Sequence, residues 1–122
     1  MDFAEILRRQ YEFDSRHGWN PPPDDVNAVF RAIQDDLIGI MGEIGEFANV
    51  TKKLALEGER QGGPGLAAAL TERSPDLSEE LVDTFIYLIR LASHLKLDME
   101  QAYLDKLLVN EKRFRSYEIP SD

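Results

Sequence analysis

The chain has 122 residues, 43% of them hydrophobic and 30% charged, a balance that fits one globular domain around one core. Its 23 acidic residues against 14 basic ones leave a formal net charge of −9, which argues against a protein that grips a nucleic acid polymer through its phosphates. The absence of cysteine excludes disulfides, thiolate metal sites and cysteine nucleophiles, and only His17 and His94 are left for imidazole chemistry. The sequence has no apolar run long enough for a membrane span and no apolar signal core in its first residues, so the expectation is a soluble cytoplasmic protein.

Asp2 with Glu5 three residues later predicts a helix start, and Phe3, Ile6, Leu7 and Tyr11 then recur at helical spacing. That helix fades near Ser15–Gly18, where Trp19 and Asn20 lead into an extended connector, Pro21-Pro22-Pro23. Asp24 or Asp25 caps a second helix predicted to reach about Leu56, with Val26, Val29, Ile33, Leu37, Ile40, Ile44 and Phe47 as its apolar arc. Gly58, Gly62, Gly63, Pro64 and Gly65 then break the periodicity, so residues 58–74 read as a Gly-rich insertion holding at most a short helical turn at Leu66–Arg73. Ser74-Pro75-Asp76 reads as the start of a third helix running to about Leu95, and Asp98 with Gln101 as the start of a last one running to about Arg115. Nothing reads as a strand. The fold class expected is all-α, an antiparallel four-helix bundle in a single domain, residues 1–122.

The third helix has an unusual projection. Asp76, Glu80, Asp83, Tyr87, Arg90 and His94 fall on one narrow stripe, and Leu77, Leu81, Val82, Phe85, Ile86, Leu88, Ile89, Leu91, Ala92 and Leu95 fill nearly all the rest. A helix with so wide an apolar arc is normally covered on most sides, so the stripe is expected to face an interior cleft and a second subunit to cover the remainder. The second helix carries a matching line, Asp36, Gly39, Glu43, Glu46 and Lys53. Glu43/Glu46 and Glu80/Asp83 are i,i+3 pairs, whose Cβ atoms sit about 5–6 Å apart. Four carboxylates meeting in a cleft repel one another unless cations neutralise them, and an all-oxygen donor set suits Mg²⁺ or Mn²⁺. Taken singly, each pair is more often a solvated helix face. A di-iron bundle needs Glu-x-x-His motifs, and neither histidine has a glutamate three residues before it.

On the last helix Lys106, Asn110 and Arg113 share a face with Tyr103 and Tyr117. They read either as phosphate and nucleotide contacts or, more plainly, as surface groups near a helix C-terminus, where cations are favourable.

As a set, Gly42-Glu43-Ile44-Gly45-Glu46-Phe47-Ala48, the run Glu79 to Ala92, and Lys106-x-x-x-Asn110-x-x-Arg113 resemble the MazG-like all-α nucleoside triphosphate pyrophosphohydrolases over roughly residues 25–115. The resemblance implies a helical bundle assembled as a homodimer or homotetramer. It also implies Mg²⁺-dependent hydrolysis of a nucleoside triphosphate to a monophosphate and pyrophosphate, in housecleaning or control of nucleotide pools. Carried onto this chain, Glu43, Glu46, Glu80 and Asp83 would be the metal carboxylates, and Tyr87, Lys106, Asn110 and Arg113 the nucleotide contacts. Lys53 would reach a phosphate, Glu43 would orient or deprotonate the water, and Trp19 would either stack on a base or plug the bundle end. Two departures stand out. Gly42 replaces a second glutamate that many members carry, and 33 residues separate Glu46 from Glu80, a longer spacer than usual. A helical nucleotide-binding or dimerisation protein without turnover is the alternative from another class; metal-dependent release of pyrophosphate separates the two.

Overall fold

The computed structural model describes residues 1–121; the last residue of the expected domain, Asp122, lies outside them. Three α-helices follow one another, α1 (Phe3–Arg16), α2 (Val26–His94) and α3 (Met99–Arg113), and a short 3-10 turn, Arg115–Tyr117, closes the chain. No strand occurs among the described residues, as the all-α expectation requires. The helix starts fall where capping chemistry puts them. The carboxylates of Asp2, Asp25 and Asp98 accept hydrogen bonds from the backbone N–H groups of Glu5, Ala28 and Gln101.

The 69 residues of α2 do not form one rod. Gly62 has φ 74° and ψ −169°, a conformation closed to residues with a Cβ, and the chain folds back there into two arms, residues 26–61 and 63–94. Contacts between the arms nest around this point: Gly58 lies against Leu66, Gly39 against Tyr87, and Asp36 against His94. The arms are therefore antiparallel, and each residue of the first arm faces one at a similar or somewhat greater distance beyond Gly62 on the second, the offset widening toward the open end.

This corrects the reading of residues 58–74 as an irregular insertion, since all but Gly62 are helical. Pro64 sits in the first turn of the second arm, where its missing N–H had no partner to lose. Ser74-Pro75-Asp76 is not a helix start. Pro75 lies inside the second arm, which continues through it because packing of the hairpin outweighs one lost backbone bond. Likewise the first arm passes Leu56 and runs on to the Gly62 turn.

Helix α1 lies across the open end of this hairpin. The ring of Phe3 meets Phe85, and Asp14 makes an ion pair with Arg90. The connector is tied back to α1 by Asn20, whose Nδ2 donates to the Tyr11 carbonyl at 3.1 Å and to Ser15 Oγ at 2.7 Å. The buried apolar core is thin: Ile40, Leu54, Ile89 and Ala92. Leu37, Ile38, Met41 and Ile44 on one arm and Leu81, Val82, Phe85 and Leu88 on the other stay exposed. Helix α3 buries none of its residues.

Candidate active site: a carboxylate cluster and an adjoining pocket

The antiparallel arms bring the two polar lines seen in the sequence against each other. One carboxylate oxygen from each of Glu43, Glu46 and Glu80 lies within 4.8 Å of the other two. Glu43 and Glu46 meet because a three-residue step returns to the same helix face, and Glu80 joins them across the hairpin. Asp83, one turn beyond Glu80, is half-buried and lies outside this group.

The cluster is electrostatically unbalanced. Glu80 Oε2 is buried with no hydrogen-bond donor among the described residues, because its neighbours are carboxylate oxygens, which have no hydrogen to give. The Glu80 carboxyl is pushed up to about 8, first by its approach to Glu43, which favours a shared proton, then by burial and by Glu46. A buried oxygen without a donor, inside a set of oxygen ligands only, fits a hard divalent cation. Glu43, Glu46 and Glu80 are the residues able to hold it, with Asp83 nearest along the helix.

Beyond the cluster the groove passes Tyr87. Its ring lies on the backbone of Gly39, where a Cβ would come within 2.5 Å of the ring carbons, so any larger residue there would displace the Tyr87 ring. Next comes a pocket of about 260 Å³ lined by residues that include Trp19, Ala32, Asp36, Tyr87, Arg90 and His94. Its walls are fixed by two side-chain contacts between distant residues. His94 Nε2 and Asp36 Oδ2 are 2.6 Å apart, both largely buried, and join the two arms. Arg90 donates from Nε (3.1 Å) and Nη2 (2.9 Å) to the two oxygens of Asp14, which is 2% exposed and also accepts from Gln10 at 2.9 Å. The Arg90 guanidinium lies 5.4 Å from the ring centroids of both Trp19 and Tyr87. Burial holds the Asp36 carboxyl above its ordinary range, while the His94 hydrogen bond pulls the other way. The bond to Asp14 raises Arg90 further still.

Other residues singled out in the sequence lie elsewhere. Lys53 lines a separate hollow near the hairpin tip with Glu57, Gln61 and Arg73. Lys106 and Arg113 are exposed on α3, and Arg113 packs over its neighbour Phe114. Asn110 is half-buried on the same helix. Trp19 neither stands free nor plugs a core: 55% of it is exposed, with His17 stacked on it at 4.6 Å between ring centroids. Two features escaped the sequence reading, the Asp14–Arg90 and Asp36–His94 pairs. Asp14 carries no motif, and each pair joins residues distant in the chain. The one available signal was that Arg90 and His94 share a stripe with Glu80.

No family model matches the chain. Among curated proteins it is similar to dCTP pyrophosphatase 1 of Homo sapiens, 27% identical over 113 residues, which is 93% of this chain and 59% of that protein. The corresponding protein of Bos taurus is 29% identical over 110 residues, covering 90% of this chain and 57% of the relative, and that of Mus musculus is 28% identical with the same coverage. The chain thus spans somewhat under six-tenths of the length of these relatives. They are nucleotide pyrophosphatases, the class to which the E-x-x-E, E-x-x-D and K-x-x-x-N-x-x-R motifs also point.

Proposed function

We propose that this chain hydrolyses a nucleoside triphosphate to the monophosphate and pyrophosphate, using a divalent cation held by Glu43, Glu46, Glu80 and Asp83. One observation carries the reading: three carboxylates converge within 4.8 Å around a buried oxygen that has no donor. The similarity to dCTP pyrophosphatase 1 supports it. Nothing in the fold gains from such repulsion, whereas a cation and an anionic phosphate chain relieve it together.

When bound, Mg²⁺ or Mn²⁺ would supply positive charge beside the α-phosphate and make a nearby water easier to deprotonate. The chain's own groups do the rest. Glu43, half-buried at the edge of the cluster, orients the attacking water and takes its proton. Tyr87 and the groove beyond it position the nucleoside. Lys53 lies two helical turns beyond Glu46, roughly 10 Å along the axis, within the span of a phosphate chain. Among the described residues Lys106, Asn110 and Arg113 make no hydrogen bond or ion pair with the carboxylates, so their role as phosphate and nucleotide contacts calls for α3 of a second copy. The exposed apolar residues on both arms of α2 and on α3 support a homo-oligomer.

The test is hydrolysis of a panel of nucleoside triphosphates with Mg²⁺ and with EDTA, products identified by chromatography. Metal-dependent pyrophosphate release is expected. Binding without turnover would instead favour a nucleotide-binding or dimerisation module.

A further inference from the structure

The groove between the arms continues past the carboxylates toward the hairpin tip. Seven residues make nearly two helical turns, roughly 10 Å along the axis. Lys53, seven beyond Glu46 on the first arm, and Arg73, seven before Glu80 on the second, therefore return to the faces that carry the cluster. Both line a hollow of about 410 Å³, whose walls include the small residues Gly65 and Ala69. That size falls within the roughly 300–1,000 Å³ of clefts that hold small molecules. The two cations are open to a ligand. Among the described residues Lys53 makes no ion pair or hydrogen bond, and the ion pair of Arg73 is with Asp76, at 3.5 Å between two side chains about half-exposed, a contact that contributes little in water. Arg90, on the other side of the cluster, is by contrast taken by Asp14 through two hydrogen bonds. Two carboxylates also line the hollow. Glu57 accepts from Gln61 at 2.8 Å and pairs with Arg60 at 3.8 Å, which leaves Glu72 as the opposing charge.

We propose that this hollow seats the pyrophosphate end of the nucleotide, gripped from both arms, and that Arg73 joins Lys53 as a contact to the leaving group. This rests on the reading of the chain as a pyrophosphohydrolase and extends its substrate to the far side of the carboxylates. With the nucleoside on the Tyr87 side, the α-phosphate lies at Glu43, Glu46 and Glu80, and the β- and γ-phosphates point to the tip. Water adds to the α-phosphorus and gives its proton to Glu43. The bond from that phosphorus to the bridging oxygen breaks, and the oxygen keeps the electron pair as pyrophosphate departs. The charge released there faces Lys53 and Arg73. A planar guanidinium can donate to two phosphate oxygens at once, and an ammonium to a third. The helical tip is what makes the grip two-sided. Arg73 belongs to the long segment between Glu46 and Glu80, and only because that segment is helical and folds back at Gly62 does it share a hollow with Lys53.

The experiment measures binding of inorganic pyrophosphate to the full chain with Mg²⁺ by calorimetry. Beside it run binding of dCMP, which lacks the two outer phosphates, and kcat/KM for dCTP. Arg73→Gln, folded by circular dichroism, is expected to weaken pyrophosphate binding and lower kcat/KM by about ten- to a hundredfold, the range for a hydrogen bond to a charged group, and to leave dCMP binding unchanged. Arg73→Lys should recover part of the loss. Glu72→Gln, which removes the opposing charge, should tighten pyrophosphate. Arg60 is exposed at the tip and does not line the hollow, so Arg60→Gln, with the same change in net charge as Arg73→Gln, should leave pyrophosphate binding as it is. The assignment is overturned if wild type binds no pyrophosphate, if Arg73→Gln binds it undiminished, if that variant loses dCMP equally, or if Arg60→Gln loses as much. Should Arg73→Gln not fold, Lys53→Gln decides: weakened pyrophosphate with dCMP intact supports the hollow, and undiminished pyrophosphate refutes it. The two readings fail separately. Pyrophosphate held through Arg73 with no hydrolysis removes the enzyme and leaves the subsite, whereas hydrolysis indifferent to Arg73 does the reverse.

Discussion

Glu80 is the residue whose surroundings conflict most with its own charge. In the folded, metal-free chain its carboxyl titrates at about 8 against 4.5 for an unhindered glutamate, so the folded state holds that proton more tightly than the unfolded one. The resulting stabilisation is complete below the unfolded value and is lost as pH rises through the folded one. Melting in EDTA should therefore show wild type losing stability from about pH 4.5 to about pH 8 more steeply than Glu80→Gln, with the difference levelling off above that range. A divalent cation should restore the wild type and do little for the variant, and parallel melting curves would remove the coupling. Glu46→Gln should lower turnover by about a hundredfold or more with the helix content unchanged, as expected when a group acting on transition-state charge is removed. Asp14 poses the opposite problem. It is buried and fully paired, so Asp14→Ala strands Arg90 without its partner, and a urea melt should record a loss of about 3–5 kcal/mol.

Among the elements, the α2 hairpin does most to create the site, because its register decides which residues face each other. Gly62 makes that register with one positive φ. Gly62→Ala should cost about 1–3 kcal/mol in a denaturant melt. It should also weaken metal uptake, because Glu80 is carried on the arm that Gly62 turns. Pro75 is a different case. It lies in mid-arm without a cap to serve, so Pro75→Ala should stabilise the chain, by up to about 3 kcal/mol if the arm has no compensating bend. Both changes lie outside the carboxylate cluster, and comparing them separates a required irregularity from a tolerated one. The glycines and prolines of residues 58–74 were legible as punctuation, but not as to kind. The same residue types end a helix, open one or reverse it, and which occurs depends on whether the flanking segments find faces to bury against each other.

At the scale of the molecule, four buried apolar residues make a slender core for a chain with so many exposed leucines and isoleucines. Sedimentation should therefore show a dimer or tetramer at micromolar concentration, and a stable monomer would count against the proposed assembly. If α3 of a second copy completes the site, Arg113→Ala mixed with a Glu46→Gln partner should recover activity that neither has alone, since each mixed pair holds one intact site. The site of attack is open to a direct measurement. Hydrolysis in ¹⁸O water should label the monophosphate, whereas label in inorganic phosphate alone would place attack at the γ-phosphorus. No Gly-rich loop carrying a Lys-Ser/Thr pair is present to cradle the γ-phosphate, and Gly62-Gly63-Pro64-Gly65 turns a hairpin instead.

Much was determined by the sequence alone, because it depends on neighbours along the chain. Asp2, Asp25 and Asp98 cap helices where local chemistry says they should, and the helical period alone puts Glu43 with Glu46 and places Glu80, Tyr87, Arg90 and His94 on one stripe. The tertiary structure decided what those faces meet. That Glu80 rather than Asp83 completes the cluster, that Asp36 finds His94 and Asp14 finds Arg90, and that Lys53 lies by the hairpin tip all follow from the Gly62 turn and the packing of α1 on the second arm. A helical repeat fixes direction around an axis and leaves open the partner across the groove. That partner is set by which pairing of long segments buries apolar surface while matching charges, a property of the whole chain.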